Sequence, residues 1–158
     1  RSSRGNGCMK QMVDEYHATG SGCIGVEEIP LSMSDRYGMV SVQKDTAGRN
    51  YIQQIIEKPA PQEAPSNLGV VGRYLLPAEI VKLLESVRAG VGGEIQLTDA
   101  ISRLLESNKL LAHPFEGVRY DCGSRHGFIQ ATVDYALEHD DLRGDMLRYF
   151  DTVKHLQD

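Results

Sequence analysis

Tyr51-Ile52-Gln53-Gln54-Ile55-Ile56-Glu57-Lys58-Pro59 is an apolar, β-rich run that ends in an acid, a base and a proline. Ile52, Ile55 and Ile56 favour a buried or half-buried strand. Pro59 has no N–H to give to a ladder, so the strand stops there. Its ring also biases Lys58, the residue before it, towards extended backbone. Side chains alternate faces along a strand, so Glu57 and Lys58 are expected on opposite sides unless the chain bends at the exit. In an open α/β sheet, ligands bind beyond the carboxyl ends of strands. A carboxylate there can accept sugar hydroxyls, and an ammonium beside it can hold a phosphate. A solvated strand end before a turn would look the same in isolation, so the weight falls on the rest of the chain.

Working outward, Tyr37-Gly38-Met39-Val40-Ser41-Val42 reads as a second strand, joined to the first by a hairpin-like connection over Asp45–Asn50. Gly38 within it marks either close approach of a ligand or backbone, or a bulge. Cys23–Ile29 reads as a strand stopped by Pro30, with a polar turn through Ser32, Ser34 and Asp35 behind it. Met9, Met12, Val13 and Tyr16 fall at helical spacing, and Thr19-Gly20-Ser21-Gly22 closes that helix. On the other side, a proline-rich loop over Ala60–Ser66 leads to a strand over Asn67–Leu76. One helix carries Ile80, Leu83, Leu84 and Val87, and is broken at Gly90-Val91-Gly92-Gly93. A second carries Leu97, Ile101, Leu104 and Leu105. Leu110–His113 and Val118–Asp121 read as two short strands around a turn at Glu116-Gly117. Ser124 can cap a helix whose stripe is Ile129, Val133, Ala136 and Leu137, and a last helix carries Met146, Leu147, Phe150 and Val153.

The 158 residues suffice to bury a core, and 41% apolar with 25% charged residues is ordinary for a globular chain. A net charge of -5 without a basic block argues against nucleic acid as a partner. No apolar run is long enough to span a membrane. Cys8, Cys23 and Cys122 are odd in number and lack CxxC spacing, which points to reduced thiols and a cytoplasmic setting rather than disulfides or zinc. Residues 1–7 are polar and glycine-rich with no initiating Met, and are expected to be a disordered or appended lead to the folded part over 8–158. Asp121, closing a strand before Cys122-Gly123-Ser124, could hold Mg²⁺ or simply bond the turn. Gly90-Val91-Gly92-Gly93-Glu94 follows a helix and lacks Gly-Lys-Ser/Thr, so it reads as a linker or sugar-site lid rather than a phosphate loop.

Five stretches occur together and in order: Tyr37–Val40, Ile56–Pro59, Ser66-Asn67-Leu68-Gly69-Val70-Val71-Gly72-Arg73-Tyr74, Gly92-Gly93-Glu94-Ile95-Gln96-Leu97-Thr98-Asp99-Ala100 and Tyr120–Ser124. With them the chain resembles the bacterial UTP–glucose-1-phosphate uridylyltransferases, or UDP-glucose pyrophosphorylases, from about Cys8 to about Leu142. The long Gly-Gly-Glu-Ile-Gln-Leu-Thr-Asp-Ala run is the specific element, whereas Glu-Lys-Pro is shared by many sugar nucleotidyltransferases. The resemblance implies an α/β, Rossmann-like nucleotidyltransferase fold, represented by its sugar-binding half and C-terminal helices. It implies UTP, glucose 1-phosphate and UDP-glucose as partners, Mg²⁺ as cofactor, and assembly into homo-oligomers. It also implies roles: Glu57 for sugar hydroxyls, Lys58 for the sugar phosphate and the reaction, main chain at Gly38 and Val70 facing the sugar, and Asp121 on Mg²⁺.

The family's opening strand and Gly-x-Gly-Thr-Arg triphosphate loop do not occur in these 158 residues. The chain is therefore expected to be a C-terminal portion, inactive by itself. An open sheet cut in this way would expose an unpaired edge and favour association. The rival readings are a related pyrophosphorylase that uses another base, and a non-catalytic sugar-phosphate-binding or assembly module.

Overall fold

Five strands, β1 (Gly22–Glu28), β2 (Gly38–Lys44), β3 (Asn50–Glu57), β4 (Leu68–Leu75) and β5 (Leu110–Pro114), close on one another in the order β1-β4-β2-β3-β5. The computed structural model describes residues 5–88 and 93–154. Of the pairings, β1 with β5 is parallel and the others are antiparallel. The open edge expected from the sequence is absent among the described strands, because β3 returns to β5 through Tyr51 and Leu111 and completes the ring. The helices are α1 (Cys8–Thr19), α2 (Glu79–Ser86), α3 (Leu97–Leu104), α4 (Arg125–Glu138) and α5 (Asp140–Val153). None of the described helices is long and apolar enough to cross a membrane. The chain divides into two compact units, residues 1–117 and 118–158.

In the first unit, the decisive strand solves a periodicity problem. Ile52 and Ile55 are both buried although they stand three apart, which a regular strand would place on opposite faces. The β2–β3 register shifts between Ser41/Val42, so that Ser41 pairs with Gln54 and Val42 with Ile52. Gln53 is the extra residue, a bulge that returns Ile52 to the inner face. These isoleucines pack with Ile24, Val26, Val40 and Val70 and with Ile101 and Leu104 of α3. Full burial of each such side chain stabilises the fold by about 1.5–3 kcal/mol. Helix α1 places fully buried Met12 against Cys23 and Leu111, and ends where Gly20, at φ 69°, donates its N–H to the Tyr16 carbonyl. Burial, reinforced by nearby Glu15, pushes the Cys23 thiol up to about 11, so it serves as a core group and not a nucleophile. The polar turn after Pro30 is a 3₁₀ helix, Leu31–Arg36. The helix break expected at 90–93 falls on residues of which 90–92 lie outside those described, as do residues 1–4 of the polar lead; α2 itself ends at Ser86.

The second unit corrects two expectations. Val118–Asp121 is not a strand. Instead Tyr120 folds onto α4, its hydroxyl bonding Asp134 and its ring tilted 6.2 Å from that of Tyr135. Alternation of Val118 and Tyr120 suits a strand, but here α4 takes the tyrosine. Consequently α4 buries Gly127 and Ala131, small residues on the face the turn approaches, and leaves Ile129 exposed.

Candidate functional site

The exit of β3 gathers Gly38, Glu57, Lys58 and Val70. Gly38 pairs with Glu57 at the end of the β2–β3 ladder. A methyl group on Gly38 would lie 3.3 Å from Glu57 Oε2, 3.3 Å from Thr98 Cγ2 and 3.7 Å from Val70 Cγ2. Gly38 is thus the floor of a group whose walls come from β3, α3 and β4, and any side chain there would fill it. The bulge alternative for Gly38 fails, since the register shift lies between Ser41/Val42. Val70 is set by its pairing with Val26 and is 7% exposed.

Lys58 departs from the extended backbone that the following proline favours. It has φ 45°, the described chain's one positive value outside glycine. This left-handed residue bends the exit and turns the lysine towards the acid, leaving Nζ 3.9 Å from Glu57 Oε1. Acid and base therefore share a side instead of straddling the strand. An ion pair this open adds little stability, so its significance is placement.

One residue joins the group that the strand reading did not single out. Thr98, in the first turn of α3, is 5% exposed, and its Oγ1 has no hydrogen-bond partner. An orphaned buried hydroxyl costs about 1–3 kcal/mol, which a bound hydroxyl could recover. The signal was present: Thr98 stands at i, i+3 and i+7 with Ile101 and Leu105, a polar residue in an apolar stripe. Burial raises the Tyr74 phenol above the usual range, and the Glu57 carboxylate raises it further. Glu57→Gln should therefore lower the Tyr74 titration midpoint without returning it to 10, because burial is the larger cause. An ultraviolet difference titration of the variant against the parent measures this. No change would place the carboxylate away from the ring.

Asp121 belongs to the second unit. It is exposed, and its Oδ1 accepts the Gly123 N–H at 3.1 Å. Its carbonyl accepts the Ser124 N–H and hydroxyl, and Ser124 Oγ in turn caps α4 by accepting the Gly127 N–H at 3.0 Å. The turn bond expected as the plain alternative is thus present on one carboxylate oxygen. No cluster of three or more His, Cys, Asp or Glu residues suited to a metal occurs among the described residues. A single exposed carboxylate matches Mg²⁺ held jointly with phosphate oxygens, and does not match an all-protein cage. Gly127 holds the turn close: a Cβ there would lie 2.2 Å from the Asp121 carbonyl oxygen. Gly127→Ala should destabilise this unit by about 1–3 kcal/mol, seen as a lower Tm, since the neighbour is rigid backbone. An unchanged Tm would show that the turn yields freely.

The described cavities lie elsewhere. One of about 590 Å³ is bounded by Gly22 and Leu75, at the ends of β1 and β4 remote from Glu57, with Lys109 as its cation and no carboxylate.

Compared with known proteins, residues 6–138 match the family model described as nucleotidyl transferase. The chain belongs to the nucleotidyl transferase family. Among its nucleotidyl transferase relatives, the UTP–glucose-1-phosphate uridylyltransferase of Staphylococcus epidermidis is 43% identical over 138 residues, covering 87% of this chain and 48% of the relative. A crystal structure of UDP-glucose pyrophosphorylase complexed with UDP-glucose aligns with TM-score 0.80 at 34% identity, covering 88% of this chain and 53% of that one. A UTP-bound UGPase from Acinetobacter baumannii aligns with TM-score 0.80 at 36% identity over 98% of this chain and 53% of its own. The nucleotidyltransferase fold implied by the sequence is the one found. The chain spans about half the length of the curated relatives it matches.

Proposed function

We propose that this chain supplies the sugar-phosphate side of a UTP–glucose-1-phosphate uridylyltransferase active site. One observation carries the reading. Glu57, Val70 and Thr98 converge around the open floor at Gly38, and the exposed Lys58 ammonium stands 3.9 Å from the Glu57 carboxylate, on its side. The relatives' names support the substrates. In this reading the Glu57 carboxylate accepts glucose hydroxyls, and the orphaned Thr98 Oγ1 exchanges a hydrogen bond with the sugar. Main chain at Gly38 and Val70 approaches the ring closely because nothing projects from Gly38. Lys58 holds the phosphate and aims one of its oxygens at the α-phosphorus of UTP. Uridylyl transfer then gives UDP-glucose and pyrophosphate, with binding and orientation as this chain's contribution. Asp121, in the second unit, would be the carboxylate that holds Mg²⁺, and the cation would supply positive charge to the reaction when bound. The reading includes a cytoplasmic setting and self-association.

Because the 158 residues hold no Gly-x-Gly-Thr-Arg segment, the chain alone should give no UDP-glucose above background in a coupled pyrophosphate assay. Robust turnover by chain of verified mass would overturn that part. The site itself is tested by an amide NMR titration with glucose 1-phosphate. Perturbed signals should cluster at Gly38, Glu57, Lys58, Val70 and Thr98. Perturbation centred elsewhere, with these five unmoved, contradicts the assignment.

A further inference from the structure

Lys58 is held in its unusual conformation by a closed circuit of three hydrogen bonds. The Lys58 N–H donates to the Tyr37 carbonyl at 3.0 Å, and the Tyr37 N–H donates to the Ser34 carbonyl at 3.2 Å. The Ser34 hydroxyl donates to the Pro59 carbonyl at 2.8 Å, and the Lys58–Pro59 peptide closes the loop. Ser34 is fully buried. A left-handed residue that is not glycine is strained, and one that precedes proline is pulled towards extended backbone as well; such a conformation persists only when its surroundings over-determine it. In this circuit the backbone supplies two of the bonds, and Ser34 Oγ supplies the third. Removing that one oxygen opens the circuit while sparing the strands.

We infer that Ser34 is a positioning residue for Lys58: its hydroxyl, through the Pro59 carbonyl, locks the bend that puts the lysine ammonium beside Glu57. Without the lock, Lys58 relaxes towards extended backbone, its side chain swings to the opposite side of the strand exit, and the acid–base pairing dissolves. This deepens the sugar-phosphate reading and rests on it for its effect on binding, but the conformational claim stands on the circuit alone.

Calorimetric titration of glucose 1-phosphate and amide hydrogen exchange at Lys58 test the inference together. Ser34→Ala should weaken binding by about ten-fold, the size set by relief of a strained backbone residue. It should speed Lys58 exchange by a similar factor. In a Lys58→Ala background the same Ser34→Ala change should weaken binding no further, because there is no ammonium left to place. Additional weakening there would assign Ser34 a general structural role and overturn the inference. Ser34→Cys keeps the volume with a feebler donor and should fall between the two, which supplies a second, milder variant if Ser34→Ala folds poorly. Should the parent chain bind no glucose 1-phosphate, the site reading fails and the exchange measurement alone decides the lock. Lys58 exchange unchanged in both Ser34 variants overturns it.

Discussion

Replacing Lys58 with alanine should weaken glucose 1-phosphate binding by about ten- to a hundred-fold, the largest effect expected of any single change at this site. A hydrogen bond to a charged group contributes about 1.5–3 kcal/mol, and each 1.4 kcal/mol is about ten-fold in affinity. Nothing in the fold depends on the ammonium: the side chain is 59% exposed and its ion pair with Glu57 is 3.9 Å long. The loss should therefore appear in binding and leave Tm nearly unchanged. Lys58→Arg should recover part of the affinity, since a planar fork carries the charge but cannot occupy the same point as a compact ammonium. If Lys58 merely finishes a strand, the alanine variant will bind as the parent does.

The second large effect is expected at Asp121. Asp121→Asn keeps a carbonyl oxygen that can accept the Gly123 N–H, so the turn and the cap of α4 survive. What it removes is the negative charge a hard cation needs. Changes to groups that only support a metal ligand cost about 10–100-fold in metal affinity, so loss of a ligand should cost at least about ten-fold. Broadening of the amides at 121–124 by Mn²⁺, with UDP-glucose present, reads this directly. The variant should need at least about ten times more Mn²⁺ for the same broadening. Equal Mn²⁺ dependence in parent and variant would reduce Asp121 to a turn residue.

The sequence made some of this legible and hid the rest for physical reasons. Apolar spacing located α1 and α3, because burying Met12 or Ile101 leaves a periodic trace along a helix, and apolar, β-rich runs bounded by Pro, Gly and polar turns located the five strands of the ring. The bulge at Gln53 is invisible to periodicity until the partner strand fixes the register. Val118–Asp121 failed as a strand because its pattern is local, whereas the contacts of Tyr120 with Asp134 and Tyr135 on α4 are not visible in it. At the site, the residue types were readable and their geometry was not. Alternation separates Glu57 from Lys58, and they are reunited by a backbone torsion of 45° that the following proline argues against. Thr98 could have been flagged as a hydroxyl in an apolar stripe, but its missing partner is a property of packing alone.

The most direct measurement of the central claim is a calorimetric titration of the chain with glucose 1-phosphate, repeated with Glu57→Gln and Lys58→Ala. The account predicts saturable one-to-one binding to the parent, weakened by about ten-fold or more in each variant. Parent binding that is absent, or that both variants match, would contradict it.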